Sequence, residues 1–514
     1  MDRTEQFKQT ILEGYNFTGD SIILGTAILD GTPLPQTHVK VPLRMMNRHG
    51  LVAGATGTGK TKTLQGIVEQ LSDFGVGVLI MDIKGDVSGI AMPGTANPKI
   101  DDRMQKIGKE WKTKGYPVEL MTISNESGVK LRATVSEFGP VLFSKILELN
   151  DIQEGVVSLV FKYCDDKQLA LLELKDFRKA LNYLTNEGKE EIGKEYGQIS
   201  TASAGTILRK IIEIEEQGAD LFFGEKSFDV TDLTRINDRG QGYVNILRLT
   251  DIQSKPKLFS TFMLCLLAEV YNTFPEQGDK ENPKLAIIID EAHLIFNEAS
   301  KSLLEQITTI VKLIRSKGVG IFFCTQLPTD IPSEVLSQLG LKIQHALRAF
   351  TANDRKAIKL TSENYPLTDF YKTEDLLTTL GIGEAIITAL NEKGSPAPLA
   401  HTLLVAPQSR MDVLTTDEII AVNTQSSLTK KYNAALDRES AYEILNKKLE
   451  ESSKLAEKEK QLQEEEKKIK QEERERKVKE KKEKPLIDRT TKRQVTNTLV
   501  REVTRGILNV LKKL

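Results

Sequence analysis

Along most of the chain, short apolar runs alternate with longer stretches whose apolar residues fall at helical spacing. The runs at 50–54, 78–82, 243–249, 285–290, 319–324 and 343–347 are nearly unbroken, and several are rich in Val and Ile. Strands buried on both faces read this way, and the helical stretches between them predict an α/β fold with a mostly parallel sheet. Residues 140–225 break the rhythm. There FSKILELN, LALLELKDFRKALNYL and AGTILRKIIEIEEQ space their apolar residues as helices do, so an all-helical insertion is expected at about 140–225, between the second and third strands. Ahead of the core, SIILGTAIL reads as a strand and TPLPQTHVKVPL as a Pro-punctuated loop, a short β element within residues 1–48. The core itself is expected over 49–410, with a linker at 411–441.

The C-terminal end has a different pattern. Residues 442–484 interleave Glu, Lys, Gln and Arg and hold no Gly or Pro, which favours a long solvated helix supported by i,i+4 pairs. Leu455, Leu462 and Ile469 recur every seven residues, but the companion positions Lys458, Glu465 and Glu472 are charged, so a strut or tether is expected rather than a two-stranded coiled coil. After Pro485 the stripe Val495, Leu499, Val503 and Ile507 predicts an amphipathic helix over 485–514 that needs a surface to cover it, on a neighbouring subunit or a partner protein; folding back on its own core is the bland alternative, and its Arg and Lys residues leave a membrane surface open.

Composition narrows the options. Lys plus Arg number 71 against 72 for Asp plus Glu, a net charge of -1, which excludes a uniformly basic nucleic-acid coat and leaves room for a local basic patch. The three cysteines, Cys164, Cys265 and Cys324, are far apart, which argues against a disulfide framework or a zinc site. The most apolar run, FMLCLLAEVY at 262–271, is about half of the ~20 residues a membrane-spanning helix needs. A cytoplasmic protein with no membrane span is expected.

The chemistry is announced by Gly54-Ala55-Thr56-Gly57-Thr58-Gly59-Lys60-Thr61. It fits G-x-x-x-x-G-K-[ST], follows the apolar strand HGLVAG and opens a helix beginning TKTLQGIVEQL, the setting a phosphate-binding loop requires. Glycines let the backbone turn tightly so that N–H groups converge on phosphate oxygens. Lys60 would neutralise the β/γ charge, Thr61 would ligate Mg²⁺, and Lys62 belongs to the same nucleotide-binding stretch.

Far downstream, Leu285-Ala286-Ile287-Ile288-Ile289-Asp290-Glu291-Ala292-His293 is a buried strand ending in two carboxylates. Asp290 is expected in the Mg²⁺ shell and Glu291 as the base that polarises the attacking water. His293 reads as a packing or coupling residue. The letters DEAH do not make a DEAH-box helicase, because the other motifs of that class are absent at the expected places. The strand GVGIFFC ends in Thr325-Gln326, which makes Gln326 a candidate γ-phosphate sensor. GVLIMD ends at Asp82 of Asp82-Ile83-Lys84-Gly85-Asp86, placing a carboxylate towards the phosphate loop if the two strands share an edge.

In this order the motifs resemble the HerA/FtsK superfamily of ring ATPases, and more closely the bacterial HerA-like proteins. The likeness covers roughly residues 15–410, through NRHGLVAGATGTGKT, DIKGD, GQISTASAGTIL, LAIIIDEAHLIF, IRSKGVGIFFCTQLPTDIPSEVLSQLG and IQHALRAFTANDRKA. It implies a RecA-like P-loop NTPase core with the catalytic Glu directly after the Walker B Asp, usually a hexamer with ATP between subunits. It further implies that Arg315 reaches ATP in the neighbouring subunit and that Arg48 is a second arginine of the family pattern. Guanidinium suits spread negative charge, and a donor supplied in trans couples hydrolysis to assembly. Two departures stand out. The region before Arg48 is too short for the β-barrel of typical HerA proteins, and the charged strut replaces a recognisable DNA-binding domain.

Three functions compete on these residues. The first is an ATP-hydrolysing ring-type motor acting on DNA. The second is an ATP-switched regulatory or scaffolding protein. A small-molecule kinase comes last, because Glu291 beside Asp290 suits water activation.

Overall fold

The structure is a computed structural model that describes residues 2–482 apart from 253, 254, 279, 299, 300, 435 and 437. Among the described residues twelve strands form one sheet: β1 (Ser21–Leu29), β2 (Thr32–Pro42), β3 (Gly50–Ala53), β4 (Gly77–Asp82), β5 (Val118–Thr122), β6 (Val129–Lys130), β7 (Val244–Arg248), β8 (Leu285–Ile289), β9 (Val319–Thr325), β10 (Leu341–Gln344), β11 (Glu384–Thr388) and β12 (Ala400–Leu404). The order is β2-β1-β12-β11-β10-β3-β9-β8-β4-β7-β5-β6. From β10 to β6 every pairing is parallel, and the four strands on the other side pair antiparallel. The central strands β3, β4, β8 and β9 are buried along their whole length. That is why they read as unbroken apolar runs.

The helices are α1 (Arg3–Gly14), α2 (Lys60–Asp73), α3 (Pro98–Ile107), α4 (Val135–Ile146), α5 (Asp151–Asp166), α6 (Leu174–Thr185), α7 (Lys189–Glu195), α8 (Thr201–Glu216) and α9 (Pro256–Thr273). They continue with α10 (His293–Glu298), α11 (Lys301–Ile314), α12 (Ser333–Leu336), α13 (Ala352–Ser362), α14 (Thr373–Thr379), α15 (Thr416–Gln425), α16 (Ser427–Tyr432) and α17 (Ala441–Lys482). Helices α4 to α8 build their own aromatic core. Phe143 packs 4.9 Å from Phe177 and 5.9 Å from Phe161, and Phe138 lies 5.0 Å from Phe223.

Several features depart from the pattern reading. TPLPQTHVKVP is a strand, not a loop. It is β2, the outermost strand of the sheet, and an edge position tolerates prolines because a missing N–H costs no ladder bond there. The helical segment follows β5 and β6, so two more strands precede it than the apolar runs indicate. Helix α1 is carried by Phe7 and Ile11, both fully buried, and Phe7 meets Phe370 edge-on at 5.0 Å. Two short helices, α15 and α16, run within the stretch read as a linker.

The chain divides into Met1–Leu445 and Asn446–Leu514. In the second unit the side chains from Glu451 to Lys477 are all exposed, Leu455, Leu462 and Ile469 among them. The stripe Val495, Leu499, Val503 and Ile507 lies outside the described residues. No described helix is long and apolar enough to cross a membrane.

Candidate functional site

The C-terminal ends of the parallel strands share one sheet edge, and the phosphate loop leaves that edge from β3. Gly54 (φ 151°), Gly57 (φ 79°) and Gly59 (φ 106°) hold backbone angles that other residues rarely adopt. A Cβ at Gly54 would stand 2.5 Å from Cβ of His345. The loop is clasped from the β10 and β11 side, since Ala55 N–H donates to the Ala346 carbonyl at 2.8 Å and Gly383 N–H to the Thr58 carbonyl at 3.0 Å. His345 sits beneath it and bonds the Thr63 hydroxyl through Nε2 at 3.0 Å. Thr56 and Gly57 form the exposed tip.

Lys60 is buried and donates to the carbonyls of Gly54 at 2.7 Å and Ala55 at 3.2 Å. Burial lowers its pKa. Its charge is thus poorly hydrated, which strengthens its attraction for an anion. Lys62 instead donates to the Met411 carbonyl at 2.6 Å, tying the first turn of α2 to the chain beyond β12.

Opposite the loop stand three carboxylates. Asp82, Asp86 and Asp290 each offer an oxygen within 4.8 Å of the others, and Thr61 Oγ1 donates to Asp86 at 3.2 Å. Adjacent strands bring them together, because β4 and β8 pair in register as far as Met81 and Ile289. Burial raises the pKa of Asp290, and it raises that of Asp82 to about 6, helped by the Asp86 charge. Asp82 also accepts the backbone N–H groups of Gly85 at 2.7 Å and Asp86 at 3.2 Å, and so pins the loop that carries Lys84 and Asp86. Buried Oδ1 of Asp86 has no hydrogen-bond partner among the described residues. An orphaned anionic oxygen beside two carboxylates and a threonine hydroxyl is a hard-oxygen donor set that fits Mg²⁺.

Glu291 follows Asp290 with φ of 46°, a left-handed conformation uncommon for this residue type. Its side chain is 7% exposed. It pairs with Lys84 through Oε1, and Oε2 lies 3.1 Å from His293 Nδ1. Gln326 is exposed just after β9, while Thr325 is buried and donates its hydroxyl to Asp330 at 2.6 Å.

The two arginines lie elsewhere. Arg48 ends the turn Leu43–Arg48 before β3, and Arg315 begins the turn Arg315–Lys317 before β9. Both therefore sit at the start of strands whose far ends carry the phosphate loop and Gln326. They share a cleft of about 230 Å³ with Arg44, Lys280, Glu276 and Glu392. His49 holds this platform. It accepts from Ile321 N–H through Nδ1 at 3.0 Å, so its proton is on Nε2, which donates to the Val311 carbonyl at 2.9 Å, one turn before Arg315. Burial lowers the His49 pKa to about 4, so it is neutral.

The structure gathers the candidates Lys60, Thr61, Asp82, Asp290 and Glu291 at one edge. Asp86 and Lys84, which the sequence pattern did not single out, join them from the Asp82–Asp86 loop. A second acid four residues after a strand-end Asp was the available signal for Asp86. Nothing in the sequence pattern pairs Lys84 with Glu291.

A second cavity of about 260 Å³ adjoins the loop, between Gly59, Lys62 and Thr63 on one side and Leu404–Pro407 on the other. Arg103 of α3 braces it by donating to the carbonyls of Ile382, Gly383 and Leu404.

Comparison with known proteins agrees with this architecture. The chain is 25% identical over 359 residues to the DNA double-strand break repair helicase HerA of Sulfolobus acidocaldarius, covering 68% of this chain and 64% of that one. It is 24% identical over 360 residues to the DNA import protein CedB of the same organism, covering 69% of this chain and 52% of that one. The chain thus spans less than two thirds of the length of these relatives. Among solved structures, the plasmid coupling protein TrwB in complex with a non-hydrolysable ATP analogue superposes with a TM-score of 0.50 at 13% identity, over 80% of this chain and 95% of that one. That likeness concerns the fold, a RecA-like P-loop core. The family described as helicase HerA-like C-terminal matches residues 28–513, and the chain belongs to it.

Proposed function

We propose that the protein is a Mg²⁺-dependent ATPase that works as a ring-type motor on DNA. The observation that carries the reading is the division of the chemistry between two edges of one sheet. Lys60, Thr61, Asp82, Asp86, Asp290 and Glu291 stand at one edge, and Arg48 and Arg315 at the other. Strand β3 alone is about 13 Å long at ~3.3 Å per residue, so these arginines face away from their own phosphate loop. In a head-to-tail assembly the arginine edge of one copy meets the phosphate edge of the next. A closed ring, a hexamer by resemblance, gives every copy both halves.

In this reading the backbone N–H groups of Gly54–Thr61 and the Lys60 ammonium bind the β- and γ-phosphates. Thr61, Asp86 and Asp290 would hold Mg²⁺, which would offset their charge. Glu291 takes the proton of the attacking water, Gln326 senses the γ-phosphate, and Arg48 and Arg315 of a neighbouring copy stabilise charge on the transferred group. DNA as the polymer is supported by what the HerA and CedB relatives are named for. ATP turnover by the full chain with and without duplex DNA tests the reading. Mg²⁺-dependent turnover stimulated by DNA is expected. Binding without turnover would favour the switch or scaffold instead.

A further inference from the structure

The Asp82–Asp86 loop carries a lysine whose position the phosphate chemistry described above does not use. Lys84 follows β4, Glu291 follows β8, and the two strands are hydrogen-bonded neighbours. The Lys84 ammonium contacts Oε1 of Glu291. On the other oxygen stands His293, whose imidazole is partly exposed. The Glu291 carboxylate thus meets a cation carried by a neighbouring loop, while the ring two residues along its own chain stands 3.1 Å from its other oxygen.

Lys84 is well placed to set where that carboxylate points. The loop beneath it is tied down, because the buried Asp82 accepts the N–H groups of the two residues that follow Lys84, and Gly85 makes the turn at φ 77°. Burial alone would lower the Lys84 pKa, but the bond to Glu291 and the nearby Asp290 charge leave it raised. The ammonium is therefore committed to the carboxylates. Glu291 itself holds a left-handed φ of 46°, one that L side chains rarely adopt.

We propose that Lys84 is the positioning residue of the hydrolytic centre: it orients the Glu291 carboxylate for water activation and contributes little to holding the nucleotide. This rests on Glu291 being the base. A general base accelerates only when held in line with its proton, and a misplacement of about 1 Å costs on the order of 100-fold.

The test uses the full chain in four forms, wild type, Lys84→Ala, Lys84→Arg and Glu291→Gln, plus the Lys84→Ala/Glu291→Gln double variant. Each is assayed for Mg²⁺–ATP turnover and for binding of a fluorescent ATP analogue. For Lys84→Ala we expect kcat to fall between about 10- and 100-fold with KM and analogue affinity within about 3-fold of wild type. Lys84→Arg should recover part of the loss, because the guanidinium can still meet the carboxylate. In the Glu291→Gln background Lys84→Ala should change turnover by less than about 2-fold, since there is no base left to orient. The proposal is overturned if Lys84→Ala keeps full kcat, if its loss falls on KM and analogue binding, or if the two losses simply multiply. Turnover retained by Glu291→Gln would instead overturn the assignment of the base, and with it the reading this proposal extends. Circular dichroism of each variant separates loss of fold from loss of orientation, and Lys84→Met serves if the alanine variant does not fold.

Discussion

The two edges of the sheet are built on opposite principles. At the phosphate edge the charged groups are mostly buried and already bonded: Lys60 to loop carbonyls, Asp82 to backbone N–H groups, Glu291 to Lys84. At the other edge Arg44, Arg48, Arg315 and Lys280 line a cleft together with Glu276 and Glu392. A desolvated set of opposed charges is preorganised for one substrate, whereas a cationic cleft at the surface awaits an anion brought from outside. On the proposed reading, the difference means that neither edge is a finished catalyst without the other.

Breaking the cationic edge should have the largest effect. Arg315→Ala is expected to lower ATP turnover about 10³-fold while leaving nucleotide binding nearly intact, as for arginines supplied in trans in other phosphoryl-transfer sites. Steady-state kinetics beside equilibrium binding of an ATP analogue checks this. A comparable loss of binding would place Arg315 in its own copy's site.

On the buried edge, Glu291→Gln should cost at least about 10²-fold in turnover with nucleotide retained, because only the base is removed. Asp86→Asn should act on the metal. It is expected to raise the Mg²⁺ concentration for half-maximal turnover about 10-fold with little change at saturating Mg²⁺. A magnesium titration of both proteins measures it, and an unchanged midpoint would remove Asp86 from the Mg²⁺ shell.

The smallest effect concerns stability, at the platform beneath Arg315. His49 is neutral in the fold with a pKa near 4, against 6.5 in the unfolded chain. The unfolded state therefore binds the extra proton first, and stability is lost as pH falls from about 6.5 towards 4. At pH 5 the loss from this one ring is about 2 kcal/mol. His345, also lowered to about 4 by burial and the Lys60 charge, adds a similar amount. Urea unfolding at pH 7.5 and pH 5 should show the difference, and His49→Gln should shrink it.

How much of this was legible in the sequence follows from what each element rests on. Strands β3, β4, β8 and β9 are buried on both faces, so their residues announce them. The phosphate loop and the Asp290-Glu291 pair are local in sequence, and their chemistry dictates residue types at fixed spacing. Strand β2 was hidden by prolines that only an edge position excuses, and α1 by an apolar stripe of just two buried residues. The Lys84–Glu291 pair joins residues more than 200 apart, and only the β4–β8 register brings them together. Likewise, nothing in the spacing of Arg48, His49, Val311 and Arg315 says that one neutral imidazole ties them into a single platform.

The central claim is that one copy's phosphate edge needs another copy's arginine edge, and subunit mixing tests it most directly. Lys60→Ala and Arg315→Ala proteins, each inactive alone, are combined and their exchange verified by light scattering and fluorescence transfer between labelled chains. Partial recovery of ATP turnover is predicted, because some interfaces then join an intact phosphate loop to an intact Arg315. No recovery despite demonstrated mixing would contradict the account.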